Sequence, residues 1–365
     1  MEKRVLGRTG IWVTTLGVGT GQFGLFGRTT AEACVRVVHA ALDGGINLID
    51  TADFYSFGEA ETITGQAIAG RRDSVVLTSK CGMPMSDDPN DRGGSRRWIN
   101  ASIDRSLKRL GTDYIDIYQL HHPDPETPIE ETVFAMSDLV RQGKIRAFGL
   151  SNSSAALIAE ASLQARIQCC LAPYSEQSAY SIFNRSPEAH LLPMCEKFGM
   201  GFLAYSPLDG GWLSGKYRRN RAVAATPRHR LQPDKFDLAS DSNARKIEMV
   251  ERLADVADSA GIAMAHMAIA FVLSHRATTC ALVGANTVAH VEAHLAGWET
   301  KLSDEVLDRI DNIVTPGLDV PEQKLQSRAL GDSSLRRRQP SRAQKEVPMV
   351  EIIRRLTAAE AQAGT

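Results

Sequence analysis

The sequence predicts an α/β fold, a (β/α)8 TIM barrel with an extra C-terminal tail. Strand-like and helix-like segments alternate in eight successive units. The strand-like segments are short, continuous apolar runs, the pattern of parallel strands covered on both faces. The 365 residues are 43% hydrophobic and 23% charged, a balance that supports one large core. A doubly wound sheet usually stops near six strands, so the barrel is the better reading.

The units follow in order. After a short start at 5–13, "VTTLGVGT" (13–20) reads as the first strand and 30–45 as a helix ending on a glycine pair. Strand 46–52 precedes helix 59–70, and strand 74–80 precedes helix 95–111, which Gly111 stops. Strand 114–122 leads to helix 128–143, with Pro128 in its first turn and Gly143 at its end. Strand 145–151 and helix 154–164 follow, then strand 169–175 ("CCLAPYS") and helix 186–199. Strand 200–208 opens a long polar loop before helices 241–261 and 263–275. Strand 280–285 and helix 288–298 complete the series. The reading divides the chain into a barrel at 1–320 and a tail at 321–365. Residues 324–365 carry a net charge of +5, and 333–345 is polar and basic without an apolar period. A short amphipathic helix is expected at 350–362.

One motif competes with this reading. Gly19-x-Gly21-x-x-Gly24 has the spacing of a dinucleotide-binding turn, and Asp50 follows Gly24 by 26 residues. Such a turn must open a helix, however, and the first helical pattern begins near Thr30. The stretch is therefore read as a loop at the barrel mouth.

Composition narrows the function. The formal net charge is −1, so nothing global favours nucleic acid or an anionic surface. No apolar run approaches the roughly 20 residues of a membrane span. The N-terminus lacks the apolar segment of a signal peptide. Six cysteines without paired spacing are expected to be reduced and mostly buried. No His/Cys/Asp cluster has metal-ligand spacing, so no metal is expected. These features suit a cytoplasmic monomer or homo-oligomer acting on a small molecule.

Barrel active sites are built at the C-terminal ends of the strands. There the sequence places Asp50 and Tyr55 after strand two, Lys80 after strand three and His121 after strand four. Ser151 and Asn152 end strand five, strand six leads to Glu176 and Gln177, and Tyr205 and Ser206 end strand seven. Singly, each has an ordinary structural explanation as a cap, a surface charge or a rim residue. An acid, a phenol, an ammonium and an imidazole on consecutive strand ends are not explained that way together.

The stretches "GGINLIDTADFY" (44–55), "LTSKCG" (77–82), "SLKRLGTDYIDIYQLHHPDPETPIEET" (106–132), "QGKIRAFGLSN" (142–152), "AYSPLDGGWLSGKY" (204–217) and "LVGANT" (282–287) resemble the aldo-keto reductases, across about residues 3–315. The branch that includes the potassium-channel β subunits looks nearest. The resemblance implies a catalytic tetrad of Asp50, Tyr55, Lys80 and His121, with His122 on the rim. It implies hydride transfer from a nicotinamide cofactor to an aldehyde or ketone, reversibly, as in a carbonyl reductase or alcohol dehydrogenase. Physically, Tyr55 is the proton donor. A free phenol titrates near about 10, and Lys80 beside it is expected to lower that value. Asp50 keeps Lys80 charged, and His121 hydrogen-bonds the carbonyl oxygen.

The resemblance further implies that Ser151, Asn152 and Gln177 hold the nicotinamide carboxamide and that Tyr205 stacks on its ring. Ser206, Pro207, Leu208 and Gly210 then follow the pyrophosphate, with Thr20, Asp50 and Gly284 nearby. Lys216 and Arg230 are the cations for a 2′-phosphate, which favours NADPH, with NADH possible. After strand eight the chain departs from the family pattern. Asn286, His290 and the pair Ala293-His294 stand where the family carries its adenosine-gripping residues. Phe23, Leu25, Phe26, Phe57, Met83, Met85 and Trp98 read either as an apolar lining, suited to bulky keto compounds, or as loop anchors. Two alternatives remain open. One is a redox-sensing partner of a membrane protein, as in the channel β subunits. The other is an aldolase or isomerase using Lys80 as a Schiff base, which a salt-bridged lysine disfavours.

Overall fold

The structure, a computed structural model, describes residues 1–219, 223 and 226–320. The tail at 321–365, with its expected helix at 350–362, lies outside the described residues. A two-stranded antiparallel hairpin of β1 (Lys3–Val5) and β2 (Trp12–Thr14) comes first. The barrel then runs β3 (Leu16–Gly19), α1 (Ala31–Asp43), β4 (Leu48–Asp50), α2 (Glu59–Ile68), β5 (Val76–Cys81) and α3 (Arg96–Leu110). It continues through β6 (Ile115–Leu120), α4 (Ile129–Arg141), β7 (Ile145–Ser151), α5 (Ala155–Ile167), β8 (Ser175–Ala179), α6 (Leu191–Phe198) and β9 (Gly201–Tyr205). The long polar loop contains two short helices, α7 (Pro227–Leu231) and α8 (Pro233–Phe236). Then come α9 (Asp241–Ser259), α10 (Met264–Ser274), β10 (Thr278–Gly284), α11 (Val288–Leu295) and α12 (Asp304–Asp311). Strands β3 to β10 pair in parallel and close as an eight-stranded barrel, with β10 beside β3. The fold class read from the sequence is the one observed.

Local chemistry explains most element ends. Thr30, Ser95, Ser154, Ser240, Thr287 and Ser303 each accept a backbone N–H at a helix start. Gly111 and Gly199 end α3 and α6 in the left-handed conformation. Leu6 and Val13 of the hairpin pack with Leu48, Ile117, Ala147, Leu203, Cys280 and Leu282 to form the core inside the barrel. A larger apolar layer fills the space between strands and helices. No disulfide links the six cysteines, and Cys34, Cys81, Cys195 and Cys280 are buried. Among the described residues no single helix is long and apolar enough to cross a membrane.

Four sequence expectations need correction. The stretch 13–20 is divided, with its first residues in the hairpin and Leu16–Gly19 in the barrel. The sixth barrel strand is Ser175–Ala179, not 169–175. The apolar run before it is a loop: Pro173 has no N–H to give a ladder. The strand itself, "SEQSA", is polar because its side chains bond one another and their neighbours rather than an apolar core. Helix 186–199 is broken into a 3-10 turn at Ser186–Glu188 and α6. Helix α12 went unread, although Ser303, Asp304 and Glu305 form an N-terminal signature ahead of Val306 and Ile310.

Gly65 lies inside α2, where alanine ordinarily favours a helix by about 1 kcal/mol. Here a Cβ would sit 2.5 Å from the Leu110 carbonyl oxygen of α3. Gly65→Ala is therefore expected to destabilise the fold by about 1–3 kcal/mol, read as a lower urea midpoint.

Candidate active site

Asp50 ends β4 and Lys80 lies on β5, both buried inside the barrel mouth. Lys80 Nζ donates to Asp50 Oδ1 at 2.9 Å, Asp50 Oδ2 at 2.8 Å and the Thr51 carbonyl at 2.9 Å. It also reaches the Tyr55 hydroxyl at 3.3 Å. Asp50 accepts further bonds from Thr78 Oγ1 at 2.5 Å and Gln177 Nε2 at 2.8 Å. The ion pair thus ties β4, β5 and β8 together. Burial works against the Lys80 ammonium, but Asp50 and Tyr55 outweigh it and hold its pKa above the ordinary value.

Tyr55 opens a turn in which Ser56, Phe57 and Gly58 have φ of 48°, 54° and 93°. That left-handed run is unusual for the first two residues and is held from outside. Ser56 Oγ donates to the Phe23 carbonyl at 2.6 Å and accepts from Phe26 N at 3.0 Å. A Cβ at Gly21 would make ordinary contact with the Tyr55 ring at 3.5 Å, so the first loop lies over the phenol. Lys80 was expected to lower the Tyr55 pKa. Burial instead pushes the phenol up; Lys80 pulls against it and only partly offsets it. The phenol is accordingly kept protonated.

His121 follows β6, its ring at 83° to Tyr55 with centroids 5.6 Å apart. His122 stacks on it at 5.3 Å. Burial, then Lys80 and His122, hold His121 well below the usual histidine range, and burial with Lys80 brings His122 to about 4. Both rings are neutral near pH 7. His121 Nδ1 is buried without a hydrogen-bond partner.

Around this centre, Ser151 Oγ donates to the Gln177 carbonyl at 2.8 Å. Asn152 Nδ2 donates to the His121 carbonyl at 3.0 Å, and Asn152 Oδ1 accepts from the Tyr205 hydroxyl at 2.7 Å. Thr20 is buried at the mouth with Oγ1 unpartnered. After β9, Ser206, Asp209, Gly210 and Gly211 all have positive φ, and Pro207 and Leu208 lie between them. Cations gather on this turn. Lys216 Nζ is 3.2 Å from the place of a Gly211 Cβ, and Lys235 Nζ is 3.3 Å from that of Gly210. Lys235 and Lys246 both pair with Asp209 at 2.8 Å. Among the described residues Lys216 and Arg228 enter no ion pair. Such a positive cradle of exposed backbone suits a phosphate.

The two arginines of α7 are placed differently. Arg230 is exposed on α7, whereas Arg228 Nη2 lies 3.6 Å from the place of a Gly284 Cβ and is electrostatically coupled to Tyr55. Two residues along a helix are about 200° apart, so only one of the pair can face the mouth. Asn286 N donates to His290 Nδ1 at 3.4 Å at the start of α11. His290 is exposed, while His294 is buried. Of the expected lining, Phe23 and Trp98 are fully buried and Phe26 nearly so. Leu25, Phe57, Met83 and Met85 are half-buried. Asp209 lies inside the stretch 204–217 but is not singled out by the sequence, and no local motif marks its partners Lys235 and Lys246.

The family model described as "Aldo/keto reductase family" matches residues 15–315. The chain belongs to the aldo/keto reductase family. It is 35% identical over 341 residues to "Uncharacterized oxidoreductase YrpG" of Bacillus subtilis, covering 88% of this chain and 99% of that one. It is 33% identical over 312 residues to "Aldo-keto reductase YhdN" of the same organism, covering 84% and 92%. It is 34% identical over 325 residues to "Probable voltage-gated potassium channel subunit beta" of rice, covering 86% and 97%. As an aldo/keto reductase the protein is an oxidoreductase of a family that uses nicotinamide cofactors.

Lys80→Met would leave the Asp50 carboxylate buried and unpaired. It is expected to cost about 3–5 kcal/mol of unfolding free energy. Asp50→Asn combined with Lys80→Met should recover much of that loss in urea titrations.

Proposed function

We propose that the protein reduces an aldehyde or ketone to an alcohol, reversibly, with NADPH as its cofactor. The observation that carries this reading is the buried line of Asp50, Lys80 and Tyr55 ending beside a neutral His121. The unpartnered Thr20 Oγ1 and the cationic cradle at Gly210, Gly211 and Gly284 fit a dinucleotide. Ser151, Asn152 and Gln177 would hold the carboxamide, Tyr205 would stack on the nicotinamide ring, and Ser206 to Gly210 would follow the pyrophosphate. Lys216 and Arg228 would take the 2′-phosphate, in place of the Lys216/Arg230 pair.

The nicotinamide, when bound, supplies hydride to the carbonyl carbon. Tyr55 gives its phenolic proton to the carbonyl oxygen as that carbon is reduced. Lys80, kept charged by Asp50, stabilises the phenolate left behind until it is reprotonated. Neutral His121 donates a hydrogen bond to the carbonyl oxygen and aligns it. Leu25, Phe57, Met83 and Met85 on the rim suit a bulky keto compound. The place of action we assign is the cytoplasm, in a monomer or homo-oligomer. A second reading, a redox-sensing partner of a membrane protein with slow turnover, is compatible with similarity to the rice protein, which is named as a probable channel subunit.

Cofactor oxidation followed at 340 nm, with NADPH and NADH against a panel of aldehydes and ketones, tests the proposal. Tyr55→Phe is expected to lower turnover at least 100-fold. Lys216→Ala and Arg228→Ala should raise KM for NADPH far more than for NADH, and Arg230→Ala should not. Tight cofactor binding with no carbonyl turnover would favour the partner reading.

A further inference from the structure

The residues of β8 alternate between two environments. Ser175 and Gln177 bond inside the barrel, to Gln119 and to Asp50. Glu176, fully buried, turns to the end of β7 instead. Its Oε1 accepts from Ser153 N at 3.1 Å and from Ser178 Oγ at 2.7 Å. Oε2 is buried with no partner.

Asn152 takes the left-handed conformation, φ of 56°, which asparagine adopts more readily than other non-glycine residues and which sharply turns the chain at the end of β7. Asn152 N donates to the Gln177 carbonyl at 3.0 Å, so neighbouring residues of β8 grip two successive amides of the turn. The Asn152 side chain then reaches both ways. Its amide nitrogen fixes the main chain of His121, and its oxygen receives the Tyr205 hydroxyl. A displacement of this turn would move three groups facing the nicotinamide at once.

We infer that Glu176 is a positioning residue for the nicotinamide end of the cofactor, acting from behind the pocket through the Asn152–Ser153 turn. The inference rests on the cofactor reading above. The carboxyl works as a neutral acceptor. Burial raises its pKa to about 8, so near pH 7 it is held protonated. Glutamine keeps the accepting oxygen and nearly the same shape. Alanine removes the acceptor and opens a cavity, whereas methionine removes the acceptor and fills the space.

The test compares two ligands by calorimetry on the full chain: NADP+, and 2′-phospho-ADP-ribose, which lacks the nicotinamide. Glu176→Met and Glu176→Ala should weaken NADP+ roughly five- to tenfold, the scale of one or two neutral hydrogen bonds. Their affinity for 2′-phospho-ADP-ribose should stay within about twofold of the wild type, and Glu176→Gln should bind both ligands as the wild type does. Methionine serves where alanine does not fold. Parallel weakening of both ligands would make Glu176 merely structural, and unchanged NADP+ affinity in the folded methionine variant would equally overturn the inference. A wild-type protein that binds neither ligand would instead overturn the cofactor reading.

Discussion

The site depends on one buried ion pair. An ammonium and a carboxylate taken out of water each lose several kcal/mol of hydration, and their attraction compensates only when every remaining lone pair and proton is used. Asp50 and Lys80 meet that condition through Thr78, Gln177, the Thr51 carbonyl and the Tyr55 hydroxyl. This requirement explains why the C-terminal half of the barrel interior is a polar network while its opposite end is packed with Leu6, Val13, Leu48, Ile117 and Leu203. It also explains why β8 is polar, since Gln177 must reach Asp50 across the barrel.

Backbone strain concentrates at the same end. Ser56, Phe57, Asn152, Ser206 and Asp209 are left-handed residues without the freedom of glycine, and all lie in turns that follow β4, β7 and β9. Each such residue costs on the order of 1–3 kcal/mol. Three of them are tied to neighbouring elements: Ser56 Oγ bonds the main chain of the first loop, Asn152 N donates to the Gln177 carbonyl of β8, and Asp209 pairs with Lys235 and Lys246. The barrel is therefore a rigid frame whose mouth is shaped by turns that would relax if their supports were removed.

Much of this was legible in the sequence, and the limits have physical causes. Alternation of apolar runs and capped helices gave the barrel, and its geometry alone gathers Asp50, Tyr55, Lys80 and His121 at one end. Hydrophobicity failed at β8 because a strand buried in a polar network has no apolar pattern. It failed at Pro173 because an apolar run does not reveal a missing donor. Arg228 could not be singled out because linear order does not say which side of a short helix faces the mouth. The rise in the Tyr55 pKa was unreadable because burial outweighs the visible neighbour, and burial belongs to the fold.

The central claim is that this mouth moves hydride from a nicotinamide to a carbonyl carbon while Tyr55 supplies the proton. The direct measurement uses NADPH fully deuterated at nicotinamide C4, a simple aromatic aldehyde and mass spectrometry of the product. The account predicts an alcohol carrying one deuterium on the former carbonyl carbon. An alcohol formed without that deuterium, or no alcohol from any of a broad set of aldehydes and ketones, would contradict it.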